Sequence, residues 1–271
     1  MPSDIILETQ KLRKEFGALV AVANVSIQVQ ANTLHSIIGP NGAGKTTFFN
    51  LVSGTISPTS GHVLFKGRDI TNIPLHRTAH IGIGRSFQIT NIFPNLTVLE
   101  NVRLACQALG HDNFKFLSHH RHFRRYEERA WEVIRQVGLA HEALYLARLL
   151  PHGAKRKLEL GMILAPDPEV LLLDEPTAGM AAEQVPELMA LVQEIRRAGS
   201  KTVMLVEHNM NVVMSVSDRI TVMHQGQVLA EGTPAEITAN QAVQSAYLGG
   251  LYDLATHPAS PAAAGEGKES R

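Results

Sequence analysis

The sequence predicts an α/β protein with a mainly parallel sheet, an antiparallel β subdomain ahead of it and an α-helical subdomain inserted within it. Three observations carry that reading. A short apolar strand at 34–38 runs into a glycine-rich turn and then a helix-like segment; strands and helices alternate from Val170 to Glu231; and between about 89 and 150 the pattern turns helical.

Taken in order, residues 5–7, 14–17 and 25–29 are short β-favouring runs, the last alternating with period two, and they predict an antiparallel sheet. Residues 34–38 give a buried strand and 46–52 the helix after the glycine turn. A hairpin follows at 61–65, with Lys66-Gly67-Arg68-Asp69 as its polar turn. Helices are expected over 99–109 and 125–137, around a basic segment at 119–125. His119, His120 and His122 lie there without carboxylate or cysteine partners, a pattern of a solvated loop and not of a metal site. Strand 170–173, helix 182–198, strand 202–206, helix 209–217, strand 219–223 and a hairpin at 227–231 restore the α/β rhythm. Residues 256–271 carry Pro, Ala, Gly and charge without apolar periodicity and are expected to be a disordered tail.

Composition narrows the function classes. Lys plus Arg and Asp plus Glu are 25 each, so no global positive field argues for nucleic acid, and any phosphate site must be local. The single cysteine, Cys106, excludes an internal disulfide and reads as a small core residue of a helix. The first residues carry Asp4 and Glu8 and lack the basic start and long apolar run of a signal peptide. No window reaches the roughly 18 apolar residues of a membrane span. The expectation is a cytoplasmic chain that can still dock onto a membrane partner.

Gly39-Pro40-Asn41-Gly42-Ala43-Gly44-Lys45-Thr46-Thr47 has the spacing G-x-x-x-x-G-K-[ST] between a strand and a helix. Glycines let successive backbone N–H groups turn inward toward phosphate oxygens, and the helix adds the positive end of its dipole. Lys45 is expected to reach the β- and γ-phosphates and the Thr46 hydroxyl to ligate Mg²⁺. The run Val170-Leu171-Leu172-Leu173-Asp174-Glu175 puts two carboxylates at the C-terminal end of a buried strand, where open α/β sheets place ligands. There Asp174 would hold Mg²⁺ through water and Glu175 would polarise an attacking water.

With these motifs in this order, the chain resembles the ABC ATPases from about residue 5 to 250, which implies a phosphate-loop NTPase core of ABC type spanning 1–255, its helical subdomain at about 89–165. The resemblance implies ATP and Mg²⁺ as ligands. It makes Gln88, in Ser86-Phe87-Gln88, the glutamine that senses Mg²⁺ and the attacking water, and His208 the switch histidine at the γ-phosphate. Phe16 is similar in position to the aromatic on which adenine stacks. The signature loop falls at Leu150-Pro151-His152-Gly153-Ala154, before a helix expected near Lys155. Pro151 and His152 depart from the common Leu-Ser-Gly-Gly-Gln, and Ala181 stands where the family usually carries an aspartate that links the two sites of a dimer. Gly153 remains, and the helix N-terminus still offers backbone donors.

Asn91-Ile92-Phe93-Pro94-Asn95-Leu96-Thr97-Val98-Leu99-Glu100-Asn101, Arg156-Lys157-Leu158-Glu159-Leu160 and Tyr247-Leu248-Gly249-Gly250 are similar to the ATP-binding subunits of branched-chain amino-acid importers. That implies transmembrane permease subunits, a second ATPase subunit and, indirectly, a substrate-binding protein as partners, with the chain at the cytoplasmic face of the inner membrane. Phe93 and nearby apolar residues are the expected docking contacts. The competing readings are a soluble ABC protein, which lacks here the coiled-coil arms or second ATPase domain it needs, a phosphate-loop kinase or GTPase, and an ATP-binding regulator without turnover.

Overall fold

The structure is a computed structural model that describes residues 5–86, 92–108, 110, 121–199 and 201–246, without the side chains of Leu75 and residues 121–123. Gln88, His119, His120, residues 247–250 and the expected tail lie outside the described residues, as does the side chain of His122.

Strand β1 (Ile5–Phe16) and strand β2 (Leu19–Gln30) form one long antiparallel hairpin that closes at Gly17, whose φ is 60°. The two short runs read from the sequence fuse into β1 because an irregularity between Thr9 and Leu12 is carried within the strand. The buried Thr9 bridges it: Oγ1 donates to Val25 O at 3.2 Å and accepts from Ile27 N at 3.1 Å. Strand β3 (Leu34–Ile38), wholly buried, leads through the glycine loop into helix α1 (Lys45–Val52). Strand β4 (Ser60–Phe65) and the two-residue β5 (Arg68–Asp69) complete a four-stranded antiparallel sheet of order β2-β1-β4-β5.

Next come the short helix α2 (Leu75–Thr78) and strand β6 (Ile83–Arg85), neither legible as an element in the sequence. Helix α3 (Val98–Gln107) starts at Thr97, whose side chain accepts from Glu100 N, a cap worth about 1 kcal/mol. Helix α4 (Arg121–Gln136) and helix α5 (His152–Leu164) follow. The last begins three residues before the expected Lys155, because Pro151 presets an N-cap backbone (φ −63°, ψ 161°) and the helix turns at once.

Strand β7 (Val170–Asp174), helix α6 (Val185–Gly199), strand β8 (Thr202–Val206), helix α7 (Met210–Val216), strand β9 (Arg219–His224), strand β10 (Gln227–Gly232) and helix α8 (Pro234–Ala239) follow, and residues 241–246 are helical again. Their six-stranded sheet has the order β10-β9-β3-β8-β7-β6, parallel except for β10. Both faces of this sheet are covered, which is why its strands read as continuous apolar runs. Along β7 the side chains alternate: Leu171 and Leu173 join the core beneath the helices, Val170 and Leu172 the core shared with α1 and the antiparallel sheet. Phe48 and Phe49, both with no exposed surface, anchor α1 in place, each contributing roughly 2–3 kcal/mol of burial.

Candidate nucleotide site

The glycine loop is shaped by close approach. At Gly44, where φ is 96°, a Cβ would stand 2.4 Å from Ala21 O, and at Gly39 one would stand 2.2 Å from Met223 O. The loop lies against β2 and the β9–β10 turn, to which Ala43 O is tied by Gly226 N at 3.0 Å, while Ala23 N donates to Gly226 O at 2.8 Å. Three segments far apart in sequence thus set one curved backbone. Pro40, Asn41 and Gly42 form its outer rim, and no side chain caps α1 at Gly44, so the first-turn N–H groups face the loop.

Lys45 is buried in the loop, its Nζ donating to Gly39 O at 2.7 Å and Pro40 O at 3.0 Å. Burial draws its pKa below the ordinary lysine value against the opposing pull of Glu175 and Asp174. Thr46 is exposed in the first turn of α1, with Thr47 half-buried beside it.

Asp174 ends β7 with Oδ1 buried and without a hydrogen-bond partner among the described residues. Its Oδ2 is 3.7 Å from a guanidinium nitrogen of Arg85, and its own N–H donates to Ser86 Oγ at 2.9 Å. Burial raises the Asp174 pKa, Arg85 opposes that, and Glu175 adds to it. An unpartnered, buried carboxylate oxygen is the hard oxygen chemistry that fits a hydrated divalent cation. Glu175 follows with φ at 47°, a left-handed conformation that costs a residue with a Cβ about 1–3 kcal/mol. Its N–H donates to Val206 O at 2.9 Å and its carbonyl closes a turn onto Ala178 N at 3.0 Å.

His208 is 64% exposed, whereas the neighbouring Glu207 has no exposed side-chain surface. Glu207 Oε1 accepts from Thr177 N at 3.1 Å and Thr177 Oγ1 at 2.6 Å, and Oε2 accepts from His208 N at 3.3 Å. Sequence reasoning passed over both Glu207 and Arg85. Neither carries a local mark: Arg85 ends a three-residue strand, and Glu207 is one more charge after an apolar run.

Pro151 caps α5 without a side-chain acceptor, and Pro151 and His152 are exposed. A Cβ on Gly179 would lie 3.5 Å from the His152 ring, and one on Gly153 would lie 3.1 Å from Gln184 Oε1. The signature segment and the loop after Glu175 are therefore neighbours within one chain. Arg156, on α5, pairs with Glu159 at 2.9 Å and donates to Ala178 O at 3.0 Å. Phe16 stands apart at the tip of the β1–β2 hairpin, half-exposed, with Lys14 Nζ 5.1 Å from its ring centre. Gln88 lies outside the described residues.

A mainly parallel sheet whose central strand β3 feeds a glycine loop and helix, with an acidic pair at the end of β7 two strands along, defines a phosphate-loop nucleotide-binding protein. A family model described as ABC transporter matches residues 22–178, and one described as branched-chain amino acid ATP-binding cassette transporter matches 227–253. The chain is 40% identical over 252 residues to the high-affinity branched-chain amino acid transport ATP-binding protein LivG of Salmonella typhimurium, covering 91% of this chain and 99% of that protein. It is 32% identical over 249 residues to the lipopolysaccharide export system ATP-binding protein LptB of Haemophilus influenzae, covering 92% and 99%. Its fold matches a solved nucleotide-free ATP-binding cassette from an ABC transporter with a TM-score of 0.78 at 29% identity, over 90% of this chain and 98% of the other. A dimeric cassette bound to ADP and Pi matches with a TM-score of 0.71 at 26% identity, over 84% and 99%. The chain belongs to the ABC transporter family, as one of its ATP-hydrolysing cassettes.

Proposed function

We propose that this cassette energises the import of branched-chain or related amino acids, docked on permease subunits at the cytoplasmic face of the membrane and supplied by a substrate-binding protein. The observation that carries the substrate class is the match of residues 227–253 to the branched-chain cassette model. Identity over nearly the whole chain points the same way, 40% to the branched-chain amino-acid cassette against 32% to the lipopolysaccharide export cassette.

In this reading the loop of residues 39–47, through its backbone N–H groups other than at Pro40, and Lys45 hold the phosphates of ATP, and Phe16 supports the adenine. Thr46, Asp174 and Gln88 hold Mg²⁺, which supplies charge neutralisation at the phosphates. Glu175 orients and deprotonates the attacking water, and His208 holds the γ-phosphate side. Pro151, His152 and Gly153 of one subunit face the ATP of the other, so that two copies, or this chain and a close relative, close over two nucleotides. Loss of the γ-phosphate releases a grip shared by both. The orphaned Asp174 Oδ1 and the convergence of Lys45, Asp174 and Glu175 support these roles. Ala181 cannot carry a carboxylate across the interface, so the coupling between the two sites rests on other groups.

The test is Mg²⁺-dependent ATP hydrolysis by the purified chain beside Glu175→Gln, followed by co-purification from membranes. Turnover should fall by about 10²–10⁴-fold while ATP binding persists, as for loss of a general base. An amino-acid permease should co-purify. Undiminished turnover would remove Glu175 from its role, and a lipid-export permease in the co-purified fraction would overturn the substrate class.

A further inference from the structure

Glu207 is a carboxylate removed from water at the C-terminal end of β8, immediately before His208. A buried charge of this kind is costly unless it is paired or hydrogen-bonded. Here the partners are donors only, two from Thr177 and one from the His208 backbone. Thr177 lies within the turn that Glu175 O closes with Ala178 N, and one step back along β8 Val206 O accepts the Glu175 N–H. The loops bearing Glu175 and His208 are thus joined twice, once by backbone and once through the Glu207 carboxylate.

We propose that Glu207 is a positioning residue for hydrolysis: it locks the Glu175 turn and the His208 loop into one unit, so that the groups assigned to the attacking water and to the γ-phosphate move together. The inference rests on the roles proposed for Glu175 and His208. It also fits the strained φ of Glu175, since a left-handed backbone persists only where neighbouring contacts over-determine it. The acceptor-only character of a carboxylate is required. Glutamine has the same shape, yet in either amide orientation its NH₂ meets an N–H or O–H donor.

The experiment measures kcat and KM for ATP of the purified full chain as Glu207→Gln, Thr177→Val, Thr177→Ser and the double variant Glu207→Gln with Thr177→Val. The first two should each lower kcat by about tenfold or more with KM changed less than about threefold, as for contacts made only in the transition state. Thr177→Ser, which keeps both donors, should retain wild-type kcat. The double variant should lose no more than the worse single one, because both remove one link. Wild-type kcat in Glu207→Gln, multiplying losses in the double variant, or a loss that matches only the fraction of unfolded protein would overturn the proposal. Glu175→Gln in the same series separates the two claims. If it keeps turnover, the assigned role of Glu175 falls; if it loses turnover while Glu207→Gln does not, only the coupling falls.

Discussion

His35 shows how one side chain ties stability to pH. It lies in β3 with no exposed surface, its Nε2 2.8 Å from Thr221 Oγ1 and its Nδ1 without a partner among the described residues. Burial, aided by the positive charge of Arg219, lowers its pKa from 6.5 to about 4. The neutral ring is therefore the folded form, and between these values the unfolded chain binds the extra proton. The contribution of His35 is fully present above pH 6.5 and is lost as pH falls toward 4. By linkage that loss is about 2 kcal/mol at pH 5. Urea denaturation at pH 7.5 and pH 5 should show a stability drop that is smaller by about this amount in His35→Gln, which cannot titrate. An equal drop in both proteins would show that His35 does not set the slope. Cys106, by contrast, is buried with its pKa raised to about 11, so its thiol is an inert packing group, as its place in an apolar helical pattern implies.

Between elements, Arg85 is the joint. From the end of β6 it donates to Asn50 Oδ1 at 2.6 Å, Thr55 Oγ1 at 2.7 Å and Ser53 Oγ, all at the C-terminal end of α1, while facing Asp174 at the end of β7. The helix that follows the phosphate loop and the strand that carries the acidic pair are thereby held by one buried cation. Removing one member of a buried ion pair leaves an uncompensated charge, so Arg85→Met should cost about 3–5 kcal/mol. In Arg85→Met with Asp174→Asn part of that cost should return, as read from urea midpoints; fully additive losses would show that the pair is not coupled. This joint was out of reach of the sequence, because β6 is only three residues long and its Ile-Gly-Arg has no period to read. The strands around the site were legible for the opposite reason: 34–38, 170–174 and 202–206 are buried on both faces, mostly apolar, and bounded by turn or acidic residues. The glycine loop was legible because its spacing is dictated by phosphate geometry. Glu207 was not, since nothing local distinguishes a buried carboxylate from a solvated one until Thr177 is folded against it.

At the scale of the whole molecule, four of the six exposed large apolar side chains among the described residues fall on two adjoining segments, the other two, Phe16 and Leu19, being at the β1–β2 turn. Phe93, Leu144, Tyr145 and Leu149 are each more than half exposed. They sit on two segments laced together by Val98 N to Tyr145 O at 3.0 Å, Ala147 N to Leu96 O at 2.9 Å and Arg148 N to Pro94 O at 3.0 Å. The buried Asn101 fastens the first segment to α3, accepting from Phe93 N at 2.7 Å and donating to Phe93 O and Thr97 O. A rigid backbone displaying clustered apolar groups marks an interaction surface, and among the described residues no helix is long and apolar enough to cross a membrane. The surface is thus suited to receiving a part of the permease, and it lies on the side of the molecule carried by α3 and the segment before α5, whose first turn holds the signature residues. A charge placed there should be tolerated by the fold, being outside the three buried cores, and intolerable to a dry partner. Leu144→Glu with Leu149→Glu should keep ATP binding and thermal stability, yet reduce co-purification with permease subunits by about tenfold or more, the loss expected from burying an unpaired charge. Undiminished co-purification would move the docking surface elsewhere. A parallel fall in thermal stability would show instead that these leucines pack within the fold, against their exposure.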